Sequence, residues 1–165
     1  MEFNATNRID ASVAEVLAAM ADPAYYEHLA ATVTAVERPE LLSDETADGI
    51  LNLKVRYAFA GEIGGAAKMF IDRDKLTWVI HSVWQLDAGT ATVEIIPDHY
   101  ADLVVADAAM TLRPDGEGCT QTMEGSLEVK VPLVGAQAER IIVDGLLKHL
   151  EAEAAALSAF TAERR

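Results

Sequence analysis

The hydrophobic period changes along this chain, and where it changes leaves few folds open. From Thr32 to Val131, apolar and polar side chains alternate with a period of two, broken only by turns, which is the pattern of half-buried strands. From Gly135 to Arg165 the period is helical. At roughly 100° per residue, Ala138, Ile142, Gly145, Leu146, His149, Ala152, Glu153, Ala156 and Phe160 gather on one face, with Arg140, Asp144, Lys148 and Glu151 opposite. Strands joined by short turns make an antiparallel meander. A long amphipathic helix that follows one has an apolar stripe to bury.

The residues before the meander are also patterned. Glu2–Ile9 alternates, with Phe3, Ala5, Asn7 and Ile9 on one side. Ser12 and Glu15 have the spacing of a capping box, and Val13, Val16, Leu17 and Met20 supply the buried stripe of a short helix that Asp22-Pro23 stops. Pro23 then suits the first turn of a second helix over 23–31. Within the meander we expect a strand over 33–38 ending at Pro39, a polar turn over 42–48, and strands over 51–59, 76–87, 90–96, 104–113 and 119–131. Pro114-Asp115-Gly116 reads as the last turn, and 61–70 as a loop or short helix. The alternation puts Ala106, Ala108, Met110 and Leu112 inside on one strand, and Met123, Gly125, Leu127 and Val129 inside on the next.

Length and composition narrow the function. A chain of 165 residues fits one domain spanning 1–165. Hydrophobic residues make up 51% and aromatic ones only 6%, so alanines and glycines recur at inner positions and leave room for a pocket between sheet and helix. A formal net charge of −14 argues against nucleic acid and anionic membranes as partners, since both need clustered Lys and Arg. Cys119 is the sole cysteine, which excludes an internal disulfide and a thiolate-rich metal site. Asp98, His99 and Asp102 match no metal-ligand spacing, and no phosphate loop or nucleophile elbow is present, so neither metal nor cofactor is expected. No run approaches the ~18 apolar residues of a membrane span, and the first residues lack a leader pattern; the expectation is a soluble, cytoplasmic protein.

The order strand, two short helices, meander and long last helix resembles the START-like helix-grip superfamily, which includes birch-pollen-allergen and polyketide-cyclase-like proteins. Ala21-Asp22-Pro23-Ala24-Tyr25, the strand with Trp84, and Val131-Pro132-Leu133-Val134-Gly135 resemble an uncharacterised actinobacterial family within it. The resemblance implies an α+β fold in which a curved antiparallel sheet of about seven strands wraps the C-terminal helix. It also implies a cavity between them that, in relatives, holds lipids, sterols, polyketides or plant hormones.

On that frame, Tyr57, Trp78, Met110 and Met123 are expected as apolar walls, facing Ile142, Gly145 and Leu146 from the helix. His149 and Glu153, one turn apart, form the polar end, either as an anchor for a ligand headgroup or as an internal hydrogen-bonded pair. Ile63, Met69 and Phe70 are the candidate lid. The expected function is noncovalent binding of an apolar small molecule or lipid, as carrier or sensor. One alternative is a cyclase, aromatase or dehydratase that uses His149 with Glu153 or Tyr100 for proton transfer, which requires His149 to titrate near neutral pH. Another is a protein-interaction module with a filled core, whose acidic surface docks on a basic protein.

Overall fold

A computed structural model describes residues 1–33, 36–60 and 72–165, with residues 36–38 described by their backbone. The lid residues Ile63, Met69 and Phe70 lie outside the described residues. The chain runs β1 (Glu2–Ile9), α1 (Val13–Met20), α2 (Pro23–Thr32), β2 (Val36–Ala47), β3 (Ile50–Phe59), β4 (Thr77–Gln85), β5 (Thr90–Pro97), β6 (Val104–Asp115), β7 (Gly118–Val129) and α3 (Gly135–Ala162), with a 3-10 turn at Arg73–Lys75 before β4. The seven strands form one antiparallel sheet in the order β1-β7-β6-β5-β4-β3-β2.

Local chemistry sets the first elements. The Ser12 hydroxyl accepts from the Glu15 amide, and the Glu15 carboxylate accepts from the Ser12 amide, so the capping box forms and α1 starts where expected. Asp22 caps α2 through the Ala24 amide, with Pro23 in its first turn. Phe3 and Ile9 of β1 are buried as the alternation required.

One stretch of the meander is corrected. The expected strand over 33–38 and polar turn over 42–48 are instead a single strand, β2, running through Pro39 to Ala47. Proline is tolerated there because β2 is an edge strand and its pairing with β3 slips between Glu37 and Glu40, at a bulge where no ladder amide is needed. The turn is only Asp48-Gly49, with φ of 52° and 77°; positive φ at both positions is the type I′ geometry that suits a two-residue hairpin. Similarly, β6 continues through Pro114 to Asp115, and Gly116-Glu117 make the last hairpin turn.

The inner-face assignments of the central strands match the structure. Leu51, Trp84, Ala91, Met110, Met123 and Ala5 lie in register across six strands, all buried or half-buried, and Trp84 is opposite Ala91 so that bulk meets space. The small inner residues do not all leave room, however. A Cβ on Gly125 would lie 2.6 Å from the Phe3 ring and 2.7 Å from the Ala108 methyl, so Gly125 lets three strands pack closely.

The concave face receives α3, which also packs on α1 and α2. The C-terminal half of α3 is fastened there: Leu150, Ala154, Leu157 and Phe160 are buried, and Tyr25 meets the Phe160 ring edge-on at 5.4 Å. Arg164 pairs with Asp22 and lies over the Phe160 ring, while Arg165 bonds Glu15. The N-terminal half differs, with Ile141 and Ile142 exposed. Among the described residues, no helix is long and apolar enough to cross a membrane.

Candidate functional site

A cavity of about 40 Å³ lies between α3 and strands β3 to β7, with Met20 of α1 and Tyr26 of α2 closing one end. That volume holds about three waters, against the roughly 300–1,000 Å³ of a typical small-molecule pocket. Bulk side chains set the limit. Trp84 is wholly buried with its indole N–H donating to Ser82 Oγ (3.1 Å), and Tyr26 is held in place by a 2.7 Å bond from its hydroxyl to the Met20 carbonyl. A larger occupant has to displace Leu146, Met110 or Met123, whose side chains adapt at modest cost.

The polar groups of this cavity come from two elements. Tyr57 on β3 is buried, with its hydroxyl beside the Glu153 carboxyl on α3, where it favours the ionised carboxylate. Burial pushes Glu153 up to about 7, opposed by the Tyr57 bond. His149, one helical turn earlier, is 4% exposed and meets the Tyr57 ring edge-on at 5.2 Å. Both its ring nitrogens are buried without a hydrogen-bond partner among the described groups, and burial pulls its pKa down to about 4. Of the two alternatives, the internal His149–Glu153 hydrogen bond is absent: both imidazole nitrogens lack a partner, and the ring is left neutral.

The remaining expected residues divide. Tyr57, Met110, Met123, Leu146, His149 and Glu153 all line the cavity. Trp78 is not among the lining residues but stacks on Tyr57, its partner across the β3–β4 pair, with ring centres 6.1 Å apart. Neither Ile142, which is 38% exposed, nor Gly145 is among the residues that line this cavity. The helix turns its cavity side through Leu146, His149, Leu150 and Glu153, a strip rotated away from the centre of the apolar stripe. Tyr100 sits in the β5–β6 connection at φ 62°, where its hydroxyl accepts from the Asp72 amide, away from His149 and Glu153. Asp98 is taken by a two-point bond from Arg56 on β3, and the described residues include no group of three or more metal-ligating side chains.

Sequence reasoning missed Ser82 and Gln121. Both are inward and buried, and a polar residue in phase with an apolar strand face is the signal that marks them. Gln121 donates to Met110 Sδ at 3.5 Å, so it supports a cavity wall from behind.

This geometry resembles known structures over the whole chain. The protein TTHA0849 from Thermus thermophilus superposes with a TM-score of 0.69 at 18% identity, covering 99% of each chain. Norcoclaurine synthase from Thalictrum flavum, solved in complex with dopamine and hydroxybenzaldehyde, gives 0.61 at 20% identity over 100% of this chain and 88% of its own. Protein Ms6760 from Mycobacterium smegmatis gives 0.59 at 13% identity over 99% and 92%. At such identities the likeness establishes the fold, which is the START-like helix-grip fold. No curated protein matches the sequence. The sequence does match a family profile over residues 4–160, and the chain belongs to the family described as protein of unknown function DUF2505.

Proposed function

We propose that this protein binds a small, largely apolar molecule between the sheet and α3, without covalent chemistry, as a carrier or sensor. The observation that carries this reading is His149: a buried imidazole with two orphaned nitrogens facing an apolar cavity. Each unsatisfied buried group costs about 1–3 kcal/mol, a cost that an occupant carrying a polar group removes. The complex of norcoclaurine synthase with dopamine and hydroxybenzaldehyde is consistent with small organic molecules entering this fold.

The test is displacement of a fluorescent apolar probe, alongside native mass spectrometry of the purified protein. Leu146→Trp places bulk in the cavity and is expected to weaken probe binding at least about tenfold, the loss of roughly 1.4 kcal/mol. Gly145→Leu, which points into open space, is expected to leave binding unchanged. A wild-type protein that binds no apolar probe, or a Leu146→Trp variant that binds it equally well, defeats the reading.

A second reading is proton-transfer catalysis, and Glu153 favours it. Held at about 7 beside the Tyr57 hydroxyl, this carboxyl gives up or takes a proton at neutral pH, the property needed in a general acid or base. His149, at about 4, does not fill that role at neutral pH. The enzyme reading thus moves from His149 to Glu153. Glu153→Gln should then abolish turnover of a polyketide-like substrate and leave its binding intact; loss of both, or of neither, argues for binding alone.

A further inference from the structure

The cavity's polar groups narrow the chemistry of what it accepts. Resting on the binding reading above, we propose that His149, Glu153 and Tyr57 form a subsite for an uncharged hydroxyl headgroup, and that the site rejects carboxylates. Besides the Trp84 indole, five lining side chains are polar: Tyr26, Tyr57, Ser82, His149 and Glu153, and Tyr26 already donates to the Met20 carbonyl. Ser82 Oγ already accepts from Trp84, and the Tyr57 hydroxyl lies beside Glu153. The unmet demand is therefore that of His149, one N–H to give and one nitrogen to receive. A hydroxyl both donates and accepts, so a single oxygen beside the ring satisfies one imidazole nitrogen and still bonds the Glu153 carboxyl one helical turn away.

Charge excludes the other headgroups. No lysine or arginine is among the described lining residues, so a carboxylate would enter beside Glu153 with no cation among them to balance it. An ammonium would meet Glu153 and could donate to the acceptor nitrogen of His149, but it adds the cost of burying a full charge. The cavity's size agrees: about 40 Å³ seats a hydroxyl and its first carbons, with the tail displacing the adaptable side chains.

Competition against a fluorescent apolar probe at pH 7.5 tests this with four ligands of one tail length: octanol, octyl methyl ether, octylamine and octanoate. Octanol is expected to bind about five- to a hundredfold tighter than octanoate and tighter than the ether, which accepts but does not donate. In Glu153→Leu, which removes the acceptor of the hydroxyl proton, the octanol–ether difference should vanish while probe binding persists. As a readout independent of that variant, the imidazole nitrogen resonances of the wild type should move on adding octanol and stay put on adding octane, which offers no oxygen. Octanoate or octylamine binding as tightly as octanol, equal affinities for octanol and ether, or unmoved nitrogen resonances overturn the headgroup assignment while the cavity reading stands. Failure of the probe to bind at all overturns both.

Discussion

The two halves of α3 share one helix and one sequence style, yet they do different things. From Leu150 onward the helix is anchored, with Leu157 wholly buried and Phe160 enclosed by Tyr25 and His28. Before Leu147 it carries exposed Ile141 and Ile142, and Gly145 faces empty space. His149 and Glu153 lie at and just beyond the join. The N-terminal half, the freer of the two, is held through Val143, 3% exposed, and through the Glu139 carboxylate, which accepts from the Val129 amide; His149, whose two ring nitrogens lack partners, sits where the denser packing begins. Opening the anchored half would therefore cost more core contacts than moving the other.

The largest test of the contrast is a matched pair of truncations. Leu157→Ala removes a fully buried side chain from the anchored half and is expected to lower the unfolding free energy by about 2–5 kcal/mol. Ile142→Ala, in the free half, should change it by less than about 1 kcal/mol. Urea unfolding measures both, and equal losses would mean the halves are packed alike.

At the join, pH separates the two buried groups. His149 has its pKa lowered from 6.5 to about 4 by burial, so the unfolded chain binds the proton first and stability falls as pH drops from 6.5 to 4. Glu153 is raised from 4.5 to about 7, so the folded chain holds the proton longer and stability falls as pH rises from 4.5 to 7. Each effect is roughly 3 kcal/mol at about 1.4 kcal/mol per pH unit, and across the shared window they oppose. The wild type should therefore show little net slope from these groups between pH 4.5 and 6.5. His149→Leu should expose the falling limb toward pH 7, and Glu153→Gln the rising limb from pH 4. Chemical unfolding across pH 4.5 to 7.5 decides it: parallel curves for the three proteins would mean neither group is buried as described.

Much of this arrangement was legible in the sequence, and the failures have physical causes. Strand β3 and the inner faces of β6 and β7 could be read because side chains on a sheet covered on one face must alternate, and α1 because its capping box is local. Strand β2 could not: Pro39 reads as a stop unless one knows that its strand lies at the edge, and Asp48-Gly49 is a hairpin signal hidden at the end of a longer polar run. The stripe on α3 gives the inward side of the helix but not how far along a partner extends, which is why spacing alone puts Ile142 and Gly145 at the wall. The spacing of His149 and Glu153 was visible, whereas the choice of Tyr57 as partner depends on a strand far away in sequence, and local spacing carries no trace of it.

The smallest expected effect returns to Gly145 and to what a glycine in mid-helix is for. If it were there to admit close packing, as Gly125 is, a methyl group would collide with a neighbour; at Gly145 a Cβ meets nothing within 4 Å, while at Gly125 it meets the Asp107 carbonyl at 2.4 Å. Gly145→Ala should therefore stabilise the protein by about 0.5–1 kcal/mol through the gain in helix propensity, and leave probe binding unchanged. Gly125→Ala should destabilise it. Thermal unfolding of the two variants side by side reads the signs directly. A destabilised Gly145→Ala with weakened probe binding would show that the free half of α3 closes on the sheet at this residue, and would restore Gly145 to the wall of the site.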